Sequence, residues 1–211
     1  MPRYGRSVTM NDLEWFELLE DDRAEISGND ILTECPVNES CEFCDEQVLE
    51  ECTTSAVQEF IEADEHRHPP YEEASTKERA QYLKEFHDNF NEMTGYTNNL
   101  HFREGMDPEN LGAFNPVTKQ IDLNAGLLLE DDPQQVMETI MHESRHAYQD
   151  FAINHPEQVS VDAETIKTWE YNFTHYISPE FDFEAYVNQP VEADANEFSE
   201  RMFSDGFCNA A

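Results

Sequence analysis

The chain predicts an α+β fold, mostly helical, with a small antiparallel sheet. Three observations lead there. Long stretches carry apolar residues at three- and four-residue steps, one short region alternates apolar with polar residues, and 211 residues suffice for a core of its own. The surface is heavily charged: Asp and Glu number 47 against 12 Lys and Arg, a formal charge of -35. Such a surface repels a phosphate backbone and an anionic lipid headgroup, so neither nucleic acid nor membrane is an expected partner. Aromatic residues make up 11% of the chain, too many for wholesale disorder. No stretch approaches the ~18 apolar residues that span a bilayer, and no apolar export signal follows Met1. A cytoplasmic location is expected, with non-Sec export left open.

The elements follow in order. Asn11 or Asp12 caps a short acidic helix over residues 11–24, with Leu13, Trp15, Phe16, Leu18 and Leu19 as its apolar stripe. Turn formers from Gly28 to Asn38 interrupt the chain, after which Val48, Leu49, Val57, Phe60 and Ile61 allow a helix to about Ala63. His66, Arg67, His68, Pro69 and Pro70 break that pattern. They set the expected boundary between an acidic, cysteine-containing segment, residues 1–70, and a domain over residues 71–211. Ser75 or Thr76 caps the next helix, on which Ala80, Leu83, Phe86, Phe90 and Met93 share a face and which Gly95 stops. Residues 100–102, 111–114 and 120–124, with Ile121 and Leu123 alternating against Asp122, predict the sheet. Pro133 opens a long amphipathic helix over residues 133–153, an aromatic-rich helix occupies 161–177, and Pro190 opens a last helix to about Phe203.

The long helix carries the chemistry. His142-Glu143-Ser144-Arg145-His146 is an HExxH sequence, and residues four apart on a helix project from one face, the spacing two ligands of one metal need. Glu143 points to a neighbouring face, placed to take a proton from a metal-bound water without itself being a ligand. A catalytic zinc needs a third protein ligand and an open position. Metallopeptidases of the HExxHxxGxxH type need a glycine and a histidine where this chain has Gln149 and Ala152, so the third ligand is sought on a later helix. Residues 189–198 supply it as Glu192, with Pro190 starting the helix, Ala193 and Ala195 permitting close packing and Phe198 anchoring it. For the support that each ligating imidazole needs, the candidates are Asn196, one turn from Glu192 on the same face, and Asp194, which faces away. Asn196 is favoured. The donor for a developing oxyanion is left among Tyr171, His175, Tyr176 and Tyr186.

These residues resemble the gluzincin class of zinc metallopeptidases, in which HExxH on one helix is completed by Glu on a later one; the resemblance covers residues 76–204. Residues 142–149 together with Gln189-Pro190-Val191-Glu192 and Asp194-Ala195 also look like metallopeptidase-like domains of bacterial mobile-element and polymorphic-toxin proteins. The resemblance implies a zincin-like domain over residues 71–211, a zinc metalloendopeptidase with Zn2+ on His142, His146 and Glu192, and Glu143 as catalytic base. It makes Tyr or His the usual oxyanion donor, and Tyr186 the choice here. The strand Gln120–Asn124 is either the edge on which such domains pair an extended peptide or part of an ordinary hairpin, the two readings weighing equally, and if a substrate lies there the acidic surroundings favour a basic or neutral peptide. An alternative keeps the zinc without catalysis: an acidic binding or inhibitor domain that mimics nucleic acid or holds a basic protein. Cys35, Cys41, Cys44 and Cys52 form one further cluster, open to a structural metal, local disulfides or free thiols. Cys208 stands apart as an expected free thiol.

Overall fold

The structure is a computed structural model that describes residues 46–94 and 98–210. The helix expected over residues 11–24, and Cys35, Cys41 and Cys44, lie outside the described residues. Mostly helical, with a small three-stranded sheet, the described chain has the expected α+β class. In order it forms α1 (Glu46–Asp64), α2 (Thr76–Thr94), β1 (Asn99–Arg103), β2 (Gly112–Asn115), β3 (Gln120–Asn124), α3 (Gln134–Asn154), α4 (Ala163–Thr174), α5 (Phe183–Val187) and α6 (Pro190–Ala210). Among the described residues no helix is long and apolar enough to cross a membrane.

Local chemistry accounts for the helix starts. Ser75 and Glu78 form a capping box: Glu78 Oε2 accepts from the Ser75 backbone N–H at 2.9 Å and Ser75 Oγ accepts from that of Glu78 at 3.4 Å. Asp162 caps α4 by accepting from the amides of Glu164 and Thr165, and Asp182 caps α5 through Ala185. The short α5 lies in a stretch the sequence left without an element.

The sheet is mixed, in the order β1-β3-β2, which corrects the expected antiparallel sheet. The β2–β3 hairpin is antiparallel, closed by a turn in which Asn115 Oδ1 accepts from the amides of Val117 and Thr118 and Lys119 takes a positive φ of 54°. β1 instead lies parallel to β3, Asn99 opposite Gln120. The chain between those two strands includes all of β2, long enough for the crossover that parallel pairing requires. Ile121 and Leu123 point into the core and are fully buried, while Asp122 faces the other way beside His101 and Arg103.

Helix α1 belongs to the same packed body as the rest. Phe60 meets Phe86 of α2 edge-on at 5.7 Å, and α1 runs beside and in the same direction as α6, through Glu50 to Arg201, Thr54 to Met202 and Val57 to Gly206. A side chain at residue 206 would place its Cβ 2.6 Å from Val57, so only glycine lets these helices approach so closely. The packing therefore runs across residues 66–70, where the sequence suggested a boundary, and α6 extends seven residues past Phe203 to Ala210 because Gly206 still packs on α1.

Candidate metal centre

The core pattern of α3 and α6 aims the site residues at one another. On α3, Val136, Met137, Ile140, Met141 and Tyr148 are buried, which turns His142, Glu143 and His146 toward α6 and β2. On α6, Pro190 sets the first turn, and Val191, Ala195 and Phe198 are buried. Glu192 thereby falls in that first turn, 1% exposed and beside the positive end of the helix dipole.

His142, His146 and Glu192 converge. The two Nε2 atoms are 3.1 Å apart, His142 Nε2 is 3.3 Å from Glu192 Oε2, and His146 Nε2 is 3.4 Å from Glu192 Oε1. Ligand bonds of about 2.0–2.1 Å around tetrahedral zinc separate neighbouring donors by about 3.3–3.4 Å. The separation of the two Nε2 atoms is close to that edge, and each imidazole comes as near to one oxygen of Glu192, His142 to Oε2 and His146 to Oε1. Glu192 Oε2 is buried with no hydrogen-bond donor among the described residues, an expensive position for a carboxylate oxygen unless a cation meets it. Two imidazoles and a carboxylate also form a borderline donor set suited to zinc, so the residues present fit the metal. Among the described residues this is the one group of three or more His, Cys, Asp or Glu so arranged.

The second nitrogen of His146 is held by Gln149, not by Asn196. Gln149 Oε1 lies 2.8 Å from His146 Nδ1, while Gln149 Nε2 donates to the Val191 carbonyl at 3.0 Å and to Asp194 Oδ2 at 2.6 Å. Both latter partners only accept, so the amide oxygen faces the imidazole and Nδ1 carries the proton. That leaves the Nε2 lone pair free for a metal. Asn196 is half-buried, and its described hydrogen bond is a backbone one, from Ser199 Oγ. The helical-face argument placed the support on α6, yet a residue three positions along the imidazole's own helix is nearer. Asp194 does belong to the support, one step removed, through Gln149. It also forms a two-pronged ion pair with Arg145, at 2.8 Å to Nε and 2.9 Å to Nη2. The sequence carried one signal for these residues: polar Arg145 and Gln149 on a helix turn otherwise committed to the core.

Electrostatics follow the packing. Burial favours the neutral form of His146, but the carboxylates of Glu192 and Glu143 beside it outweigh burial and lift the imidazole to about 9. Burial likewise pushes Glu192 up, and the close imidazoles of His142 and His146 overcome this and hold it well below the ordinary carboxylate range. For Glu143, burial wins and raises the carboxyl, against the neighbouring imidazoles and a hydrogen bond from the Phe114 backbone N–H. β2 reaches Glu143 because residue 112 is glycine: a Cβ there would lie 2.9 Å from Thr139 Cγ2 and 3.1 Å from Glu143 Cγ. Among the described residues the edge strand beside the site is thus β2. The expected one, Gln120–Asn124, is the central strand, with both edges already paired.

Of the four donor candidates, two reach the site. Tyr176 donates its hydroxyl to Glu192 Oε1 at 2.6 Å, and Tyr186 packs edge-on against it, ring centroids 6.1 Å apart. Burial first, then the Glu192 carboxylate, raises both phenols well above their ordinary value. Tyr171 and His175 instead stack on each other at the surface, 4.0 Å apart. Among the described residues Cys52 and Cys208 have no disulfide partner, and neither belongs to the metal group.

No protein-family model, curated protein or solved structure matches the chain.

Proposed function

We propose that the protein is a zinc-dependent metalloendopeptidase, with His142, His146 and Glu192 as ligands and Glu143 as the base. The observation that carries this reading is the convergence of His142, His146 and Glu192, whose donor atoms lie within 4.8 Å of one another, with the buried carboxylate of Glu143 between the two histidines. A purely structural metal has no need of that carboxylate. When bound, zinc supplies Lewis acidity, activating a water and polarising the scissile carbonyl. Glu143 accepts the water proton and delivers it to the departing amine, while the Phe114 N–H holds the carboxylate in place. The free edge of β2 offers main-chain groups to an extended peptide. Tyr176 or Tyr186 donates to the carbonyl oxygen as charge builds there. The charge of -35 selects basic or neutral peptides over acidic ones.

The test is elemental analysis of the wild type, His146→Ala and Glu192→Ala, with turnover of an unfolded basic protein by the wild type and Glu143→Gln. One zinc per chain is expected, lost in the first two variants. Glu143→Gln should keep the metal and lose about 10²–10⁴-fold in rate; undiminished hydrolysis in that variant refutes the mechanism.

A further inference from the structure

Arg145 lies between the two ligand histidines in sequence but leaves the metal face. Its side chain is 2% exposed, and its guanidinium carbon sits 4.8 Å from the Tyr148 ring centroid and 4.9 Å from that of Phe198. A guanidinium so deeply buried is tolerated only with carboxylates at hand. Two are, and they come from two other helices: Asp194 of α6, by the fork described above, and Glu46 of α1, whose Oε1 accepts from Nη2 at 2.5 Å. Asp194 in turn receives the Gln149 amide, and Gln149 receives the His146 proton. Reversing the Gln149 amide would set its oxygen against the Val191 carbonyl and the Asp194 carboxylate, so Asp194, together with that carbonyl, fixes which way the amide points.

We infer that Glu46, Arg145, Asp194 and Gln149 form one positioning chain that sets the metal affinity of His146 from helix α1. The inference rests on the metal reading above and adds to it a contribution from a surface residue that touches no ligand. Arg145 Nη2 bridges Glu46 and Asp194, and Gln149 Nε2 bridges Asp194 and the Val191 carbonyl, so the run is continuous from one residue to the next. Arg145 and Asp194 are also the tie between α3, which carries two ligands, and α6, which carries the third. The fork therefore holds Glu192 opposite the imidazoles as well as orienting one of them.

A built-in control separates positioning from mere docking of α1. One turn along α1, Glu50 pairs with Arg201 of α6 at 2.5 Å, a second ion pair that docks α1 but has no link to Gln149. Zinc affinity would be measured by competition with a chromophoric chelator, beside the thermal midpoint of the metal-free protein and the visible spectrum of the cobalt(II)-loaded form. Asp194→Asn should weaken zinc by about 10–100-fold, the usual cost of losing an outer partner. Glu46→Gln, at the surface and expected to fold, should weaken it by about two- to tenfold. Both should shift the cobalt bands, whereas Glu50→Gln should change neither affinity nor spectrum. Zinc affinity that is equal in Glu46→Gln and Glu50→Gln, or that merely tracks the metal-free midpoint, overturns the chain while leaving the metal site standing. A wild type that binds no zinc, or binds it as well after His146→Ala, overturns both.

Discussion

Gln149 accepts the Nδ1 proton of His146 at 2.8 Å, and this bond commits the ring's other nitrogen to the metal face. The pair lies on one helix, three residues apart, so its geometry is set by α3 itself. Removing the acceptor frees the ring to rotate or to change tautomer. Gln149→Ala should therefore weaken zinc by about 10–100-fold, read by chelator competition, while the helix content of the protein is unchanged. Unaltered affinity would show that the ring is held by packing alone.

Tyr176 and Tyr186 compete for one role. Tyr176 is the one bonded to Glu192, at 2.6 Å, which sets its hydroxyl beside the proposed metal group. Tyr176→Phe should lower kcat by about 100-fold, with KM little changed and zinc content kept. The same loss in Tyr186→Phe, with none in Tyr176→Phe, would place the donor on α5.

Two glycines separate stability from function. Gly206→Ala forces a Cβ to within 2.6 Å of Val57 and should cost about 1–3 kcal/mol by overpacking, measured by denaturant unfolding, with zinc affinity retained. Gly112→Ala presses on Thr139 and Glu143, at 2.9 and 3.1 Å. It should cost a similar amount and also lower kcat, because β2 must withdraw from the base. Equal activity in the two variants would count against β2 as the strand that positions Glu143.

Tyr71 gives the protein a stability limit at high pH. Its ring is 1% exposed and its hydroxyl has no hydrogen-bond partner among the described residues. Burial raises the phenol from 10.0 to about 12, with Arg79 opposing and Asp132 and Asp64 adding. The folded state thus prefers the neutral phenol. That preference is fully present below pH 10 and is lost as pH rises from 10 toward 12, at a cost of up to about 3 kcal/mol. Urea unfolding across this window should show a smaller decline for Tyr71→Phe than for the wild type; identical declines would assign the effect to other groups.

Much of this centre was legible without coordinates because its signals are local. Helical periodicity places His142 and His146 on one face whatever surrounds them, and Pro190 with the small residues after it starts a helix whose first turn holds Glu192. The capping residues and the Asn115 turn belong to the same class, since each depends on atoms a few residues apart. The supports did not show in this way. A helical wheel drawn for α6 favours Asn196, and nothing in it reveals that Gln149 of another helix lies nearer. Tyr176 and Tyr186 could not be ranked by spacing, because which phenol meets Glu192 depends on how the chain after α4 folds back.

The sequence by itself determined the long helices and the placement on them of His142, Glu143, His146 and Glu192, because spacing along a helix is dictated by backbone geometry. Only the tertiary structure decided the strand order, the open edge at β2, the membership of α1 in the packed body and the run from Glu46 to Gln149. Those features arise where side chains distant in sequence meet in a dense interior, and the free energy of such meetings leaves no period in the chain to read.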